Sequence, residues 1–179
     1  MTHSEPPERR GLLASLLSPD ARFLQRVAAV FKLDPRVYAE IDSDPSTIPQ
    51  AFAVVIGTAL VAGLGQGSIA YLFLCTAILI LIWLMAAALI WGVGTLVVGD
   101  RSDYARLLRC LGFAYAWFGL LVFENVAWLG NLVRLASVGL CLASFVQATR
   151  QVLRVETQIA AAICGACLLG PFVLFLILV

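Results

Sequence analysis

Two cysteines near the end of the chain have a spacing that thiol enzymes use. Cys164 and Cys167 stand in a Cys-Gly-Ala-Cys motif that includes Gly165, and this spacing serves thiol–disulfide exchange. The flanking residues 160–163 and 168–171 include no Lys, Arg or His that would stabilise a thiolate. We therefore expect the motif to let helices pack closely. A membrane thiol oxidoreductase is the alternative.

Opposite charges in an apolar part of the chain are a second candidate for chemistry. Glu124, with Asn125 beside it, precedes a Gly130-Asn131 turn, and Arg134 follows that turn. Ionisable residues inside membrane spans are costly and are functional candidates by default. We interpret Glu124 and Arg134 as an ion pair that fixes a helical hairpin. The alternative is a polar site for an ion, a lipid headgroup or a partner, which would suit a small transporter or channel component.

Other catalytic and metal-binding patterns are missing from the sequence. The single histidine, His3, lies near the N-terminus, so a Ser-His-acid set is not expected. Two thiols do not make a four-ligand zinc site. The segment GLGQGS at 63–68 follows no strand, so it is not a nucleotide-binding loop. We expect a protein that is not an enzyme and that holds no cofactor or metal.

The composition defines the class of protein. The chain has 179 residues, of which 61% are hydrophobic and 13% charged, and its mean hydropathy is +0.96. Soluble domains are nearer half apolar and a quarter charged. The sequence therefore predicts an all-α integral membrane protein whose first partner is the lipid bilayer. The net charge of +1 gives no reason to expect a nucleic-acid partner.

Apolar runs separated by polar breaks predict five transmembrane helices. A span needs roughly 20 apolar residues, and only helices satisfy the backbone in lipid without closing a barrel. An N-terminal arm, 1–47, precedes the membrane domain, 48–179. Ser102 is the expected N-cap after the second break. The spans are expected at about 48–65, 69–97, 111–129, 132–148 and 159–179.

The basic residues give the orientation. With five spans, eleven of them fall on one side and Arg134 alone falls on the other. Because positive charge concentrates on the cytoplasmic side, we expect a cytoplasmic N-terminus and an outside C-terminus. All but one of the twelve are arginine, which favours a GC-rich bacterial source and hence the bacterial cytoplasmic membrane.

The arm contains two segments of interest. Residues 19–33 predict an amphipathic helix, which either lies on the membrane surface or packs on the cytoplasmic ends of the spans. The acidic segment EIDSDPSTIPQAF, 40–52, leads into the first span. We expect its acids to stabilise the next helix through the helix dipole, with Pro49 in the first turn.

Three segments carry a resemblance to a known family. They are LDPRVYAEIDSDPSTIPQAFAVVIGTALVAGLG at 33–65, YARLLRCLGFAYAWFGLL at 104–121 and ATRQVLRVETQIAAAI at 148–163. Together they resemble bacterial members of the Yip family, the Ypt/Rab-interacting membrane proteins, over about 34–175. The positions that carry the likeness in the first segment are Asp34, Pro35, Glu40, Pro45, Gln50, Ala51, Gly63 and Gly65.

The resemblance implies a five-span fold and a role in organising membranes. One departure is Trp117, which stands where family members usually have a proline. We expect a non-catalytic membrane protein that acts through contacts with other membrane proteins, with itself or with lipids. A scaffold or an accessory subunit of a membrane complex fits this expectation.

Overall fold

Helices joined by short connections make up the computed structural model, which describes residues 19–64, 69–97, 99, 103–123 and 129–178. No strand occurs among these residues. The α-helices of the described chain are α1 (Pro19–Val30), α2 (Pro35–Ser43), α3 (Ile48–Leu64), α4 (Ile69–Val97), α5 (Tyr104–Ala114), α6 (Gly130–Leu153) and α7 (Thr157–Leu178). A short 3₁₀ segment at Pro45–Thr47 precedes α3, and another at Tyr115–Phe123 continues α5.

In the part of the chain that the structure describes, three helical stretches are long and apolar enough to cross a membrane. They are Leu72–Leu96 within α4, Tyr104–Phe123 across α5 and its 3₁₀ extension, and Gly130–Leu153 in α6. Shorter apolar stretches, Pro45–Val61 and Thr157–Cys167, belong to the regions of α3 and α7. The prediction of an all-helical chain is confirmed, and the apolar helices indicate a membrane protein.

The helices at the third and fourth predicted spans begin or end outside the predicted spans. The helix at the third span, predicted from about 111, begins at Tyr104. Its cap is Asp103 rather than the expected Ser102, because the Asp103 carboxylate accepts a hydrogen bond from the Ala105 amide. The helix at the fourth span, predicted to about 148, continues to Leu153. Polar residues extend both helices beyond their apolar runs.

The amphipathic helix of the arm is shorter than predicted. α1 ends at Val30 rather than at residue 33, and Leu33 has a left-handed backbone with φ of 53°. Pro35 opens α2 directly afterwards, and Asp34 caps it by accepting a hydrogen bond from the Arg36 amide. The chain therefore reverses between two short helices instead of continuing one.

Both arm helices pack against the apolar helices. The Phe23 ring lies 6.2 Å from that of Phe113, and the Phe31 ring lies 4.9 Å from that of Trp117. In α2, Tyr38 and Ile41 are fully buried in one hydrophobic core with the longer helices. These contacts correspond to one of the two arrangements predicted for the amphipathic helix, in which it packs on the helix bundle.

The backbone tightens from α-helix to 3₁₀-helix at Tyr115, near the position where the family pattern has its proline. Trp117 instead uses its indole as a donor: Nε1 lies 2.8 Å from the Ser144 hydroxyl of α6. A buried side-chain hydrogen bond thus ties the 3₁₀ segment to its neighbour.

Candidate functional site

The acidic segment before α3 surrounds a buried arginine of the arm. Arg26, on α1, is only 6% exposed. Its guanidinium donates from Nε to Glu40 at 2.8 Å, from Nη2 to Asp44 at 2.8 Å and from Nη1 to the Gln50 carboxamide at 3.0 Å. One side chain therefore joins α1 to α2, to the 3₁₀ turn and to the first turn of α3.

A third carboxylate of the same segment, that of Asp42, holds the start of α5. Asp42 receives both arms of the Arg106 guanidinium, with Nε at 2.6 Å from Oδ1 and Nη2 on Oδ2. The Asp42 carbonyl also accepts from Nη2 of buried Arg109 at 3.0 Å. We call Arg26, Glu40, Asp42, Asp44, Gln50, Arg106 and Arg109 together the arm junction.

The arm junction revises the role expected for the acidic segment. The acids were expected to act on the dipole of the next helix, but α3 has no acid in its first turn. Glu40 and Asp42 instead neutralise arginines that come from elements before and after them in the chain. Bidentate arginine–carboxylate contacts are among the stronger charged hydrogen bonds in proteins, so the junction fixes the arm's position on the bundle.

Asp44 has a second task in the local backbone. Its Oδ1 accepts from the Ser46 amide at 3.0 Å and from the Ser46 hydroxyl at 2.6 Å, which caps the 3₁₀ turn. The Thr47 hydroxyl donates back to the Asp44 carbonyl at 2.7 Å. The Ser46 hydroxyl, and next Arg26, hold the pKa of the Asp44 carboxyl below its ordinary value.

The lowered pKa of Asp44 predicts acid sensitivity. A carboxylate with a depressed pKa in the folded state contributes stability above its unfolded pKa, and this stability is lost as pH falls through the folded value. We expect the Asp44→Asn variant to have a lower thermal midpoint than wild type at pH 7 and a smaller further loss as the pH is lowered from about 5 to about 3. Thermal unfolding in detergent, followed by tryptophan fluorescence, measures how the thermal midpoint of each protein changes with pH. An equal change in wild type and variant would show that Asp44 does not contribute to the pH dependence of stability.

Three further positions of the family-like segment, Pro35, Pro45 and Ala51, have structural roles that can be named. Pro35 and Pro45 open α2 and the 3₁₀ turn, where the missing amide hydrogen costs nothing. Ala51 lies against Gly112 of α5: a Cβ on Gly112 would come within 2.7 Å of the Ala51 Cβ and 3.0 Å of the Trp83 ring. Close packing of α3, α4 and α5 therefore depends on a residue without a side chain.

The cysteine motif lies in α7 with both thiols buried and free. The Cys164 sulfur is 3.2 Å from the Thr149 hydroxyl of α6, and either atom can donate the hydrogen. Gly165 does not help helices approach within the described chain, because a Cβ there would meet no atom within 4 Å. Cys164 is 1% and Cys167 7% exposed, whereas a thiol–disulfide exchange enzyme needs a thiol that its substrate can reach.

Burial of the thiols predicts slow alkylation. We expect a maleimide to label Cys164 far more slowly in the folded protein than after denaturation, since reaction must wait for local opening. A Thr157→Cys variant is the matched control, because Thr157 is exposed at the start of the same helix. Peptide mass spectrometry after timed labelling reads each site separately. If Cys164 reacted as fast as the thiol introduced by Thr157→Cys, the redox alternative would be favoured.

The predicted charge pair is only partly within the described chain. Glu124, Asn125 and Gly65 lie outside the described residues, and for Gly63 only the helical backbone is described. Arg134 is half-buried near the start of α6. The hairpin ion pair and the polar site at Glu124 therefore stay predictions.

The sequence-based reasoning missed the residues that the structure brings together most tightly. The sequence used three of them, Arg26, Arg106 and Arg109, only among the basic residues that predict the orientation. It indicated Asp42 only as one of several acids in the segment 40–52. Alternating acids and prolines before an apolar run were a usable indication of a local polar network. The fully buried Tyr38 was also missed: its hydroxyl lies near Ser144 without a well-formed hydrogen bond to any described residue, and burial raises its pKa.

The fold and the arm junction define an all-helical protein in which three described helical stretches are long and apolar enough to cross a membrane. In the described part of the chain, no cluster of three or more His, Cys, Asp or Glu is placed to hold a metal ion. Comparison with protein-family models, with curated proteins and with solved structures finds no match to this chain.

Proposed function

We propose that the chain is a non-catalytic, polytopic membrane protein of the Yip family that works through contacts with other membrane proteins, with itself or with lipids. A scaffold or an accessory subunit of a membrane complex is the form of this function we favour. The proposal includes a bacterial cytoplasmic membrane, a cytoplasmic arm and an outside C-terminus.

One observation carries the proposal: the buried charged side chains lie where the arm meets the helices, whereas large apolar side chains are exposed along α4. Buried charges of the described chain are used to attach the arm to the helices, as at Arg26 and Asp42. Large apolar side chains stay exposed along α4, the longest helix; they include Phe73, Leu74, Leu81, Met85 and Leu96. Exposed apolar area of this extent marks contact with membrane or protein.

Five spans are part of the proposal. α7 has 22 residues and α3 has 17, so at 1.5 Å per residue they are about 33 Å and about 26 Å long. A bilayer's apolar core is about 30 Å thick, and a short span is accommodated by local thinning of the bilayer. Adding these two helices to the three long apolar stretches gives five.

The family assignment is supported by the sequence resemblance together with the roles of the positions that carry it. Asp34 and Pro35 start α2, and Glu40 and Gln50 bind Arg26. These are four positions of the family-like pattern with a physical reason for their residue type. The support therefore concerns the architecture at the approach to the first span.

The test is native mass spectrometry of the tagged full-length protein, extracted gently from its own membrane. We expect a reproducible, stoichiometric complex with another membrane protein or with a second copy, or a defined set of bound lipids. A bare monomer that catalyses turnover of a thiol or transports a solute after reconstitution would contradict the proposal.

A further inference from the structure

The arginines at the arm's end of the bundle fall into two groups with different environments. Arg26 and Arg106 are engaged by carboxylates in the arm junction. Arg150 and Arg154 are exposed, and their guanidinium groups make no hydrogen bond or ion pair with any other residue that the structure describes. Both lie at the end of α6, where a candidate span finishes at Leu153.

A polar cleft adjoins these two arginines. It has a volume of about 280 Å³ and is lined by Pro35, Gln147, Arg150, Gln151, Arg154 and Val155. Spacing of three and four residues places Gln147, Arg150 and Gln151 along one side of α6. Arg154 follows the helix as its C-cap, with a left-handed backbone of φ 52°. Among the described residues, none that lines this cleft carries a carboxylate. Since one water occupies about 30 Å³, a phosphate group and several waters fit.

The donors suit an anion with several oxygens. Each guanidinium presents five N–H donors in a planar fork that matches phosphate geometry. The carboxamides of Gln147 and Gln151 add further donors. A second cleft of about 500 Å³ shares Arg150 and Arg154 and extends to Thr157 at the start of α7. Its one acidic lining residue is Glu156.

The position of the cleft indicates the source of the anion. Arg154 follows directly on the candidate span Gly130–Leu153, so it lies at the level where the span leaves the apolar layer and headgroup phosphates begin. Basic pockets between helices at this level bind anionic headgroups. Pro35 brings the arm to the same cleft, so a ligand there would touch the arm as well as the bundle.

We propose that this cleft binds the phosphate of an anionic lipid headgroup or of a free phosphate compound, held by Arg150 and Arg154 with Gln147 and Gln151. The inference rests on the proposed function and names one lipid contact within it. A simpler role for Arg150 is compensation of the negative end of the α6 dipole. That role needs neither Arg154 nor selectivity among lipids.

The chain offers a matched control. The guanidinium groups of Arg22 and Arg36 are also exposed and make no hydrogen bond or ion pair with a described residue, and they line a cleft of about 370 Å³ between α1 and α2. Asp34 and Glu40 line that cleft too. Removing Arg22 and Arg36 takes away the same charge from the same end of the molecule, but from a place where carboxylates oppose an anion.

The experiment compares the full-length wild type with Arg150→Gln/Arg154→Gln and Arg22→Gln/Arg36→Gln. One arm measures phosphatidylglycerol retained against phosphatidylcholine by native mass spectrometry. The other titrates inorganic phosphate into protein held in phosphatidylcholine nanodiscs. We expect the first variant to lose phosphatidylglycerol selectivity by at least about tenfold, since each good charged contact is worth about that factor. The control should stay within about twofold.

Each outcome supports or overturns the cleft as an anion site. Loss confined to Arg150→Gln/Arg154→Gln in the lipid arm supports a headgroup, and the same pattern in the phosphate arm alone supports a soluble ligand. The proposal that the cleft is an anion site is overturned if both variants lose binding equally, or if wild type binds selectively in neither arm of the experiment. An Arg150→Lys/Arg154→Lys variant with partial retention would show that the guanidinium fork matters beyond charge. A protein partner found by co-purification would support the proposed function even if the cleft does not bind an anion.

Discussion

Replacement of Arg26 by methionine is expected to lower the free energy of unfolding by about 3 kcal/mol, the low end of the cost of removing one partner of a buried ion pair. Methionine fills the space of the arginine stem but removes the guanidinium that donates to Glu40, Asp44 and Gln50. The loss stays at the low end because Glu40 is 56% and Asp44 33% exposed, so water replaces part of what the arginine supplied.

Equilibrium unfolding in mixed detergent micelles, followed by tryptophan fluorescence, measures this change. Arg22→Met is the control, because Arg22 lies one turn earlier on the same helix and is exposed. We expect the control to change the free energy by less than about 0.5 kcal/mol. Similar losses of unfolding free energy in both variants would show that α1 stabilises the protein through its net charge rather than through the specific contacts of Arg26.

The Arg26→Met variant also separates attachment of the arm from integrity of the bundle. Arg106 and Asp42 hold α5 to the acidic segment independently of Arg26. We therefore expect α1 to be cleaved first in limited proteolysis of the variant, while the apolar helices stay protected. This local release follows because stability is not uniform across a structure.

Replacement of Gly112 by leucine is expected to destabilise the bundle by roughly 3 kcal/mol, the upper part of the usual range for overpacking. A Cβ there would lie 3.3 Å from the Ala51 Cα as well as against its side chain. Backbone cannot move aside as a flexible side chain can. The Trp83 indole is also fixed, since Nε1 donates to the Leu108 carbonyl at 3.1 Å.

Gly139→Leu is the matched control for this substitution. Gly139 lies within α6, and a Cβ there would meet nothing within 4 Å. Leucine is a far better helix former than glycine, so we expect no loss of stability and a small gain. The same unfolding measurement applies to both variants. A tolerated Gly112→Leu would mean that α3 and α5 are not held as closely as the Gly112–Ala51 contact indicates.

The two substitutions connect the junction to the proposed function. Arg26 fixes where the arm lies, and Gly112 fixes how closely the helices beneath it pack. Both leave the exposed apolar surface of α4 unchanged. Partner or lipid binding that survives Gly112→Leu but fails in Arg26→Met would place the arm, rather than the exposed apolar surface of α4, at the contact.

Local sequence was enough to predict the class of the protein and the course of its longest helix. The hydrophobic content of 61% indicates a membrane protein, and the helix α4, Ile69–Val97, coincides with the apolar run predicted at about 69–97. An uninterrupted apolar run is a property of the local sequence alone. Because a helix forms its backbone hydrogen bonds within itself, such an element can be inferred without knowing its neighbours.

Which charges meet, in contrast, depends on the three-dimensional arrangement of the helices. Asp42 and Arg106 are 64 positions apart, and no local pattern pairs them, because side-chain hydrogen bonds depend on where helices lie in space. The same reason explains why α5 and α6 extend beyond the predicted spans: polar residues that are typical of a loop continue a helix once partners or a cap satisfy their hydrogen-bonding groups. Gly112 likewise differs from Gly139 only through what lies opposite each of them.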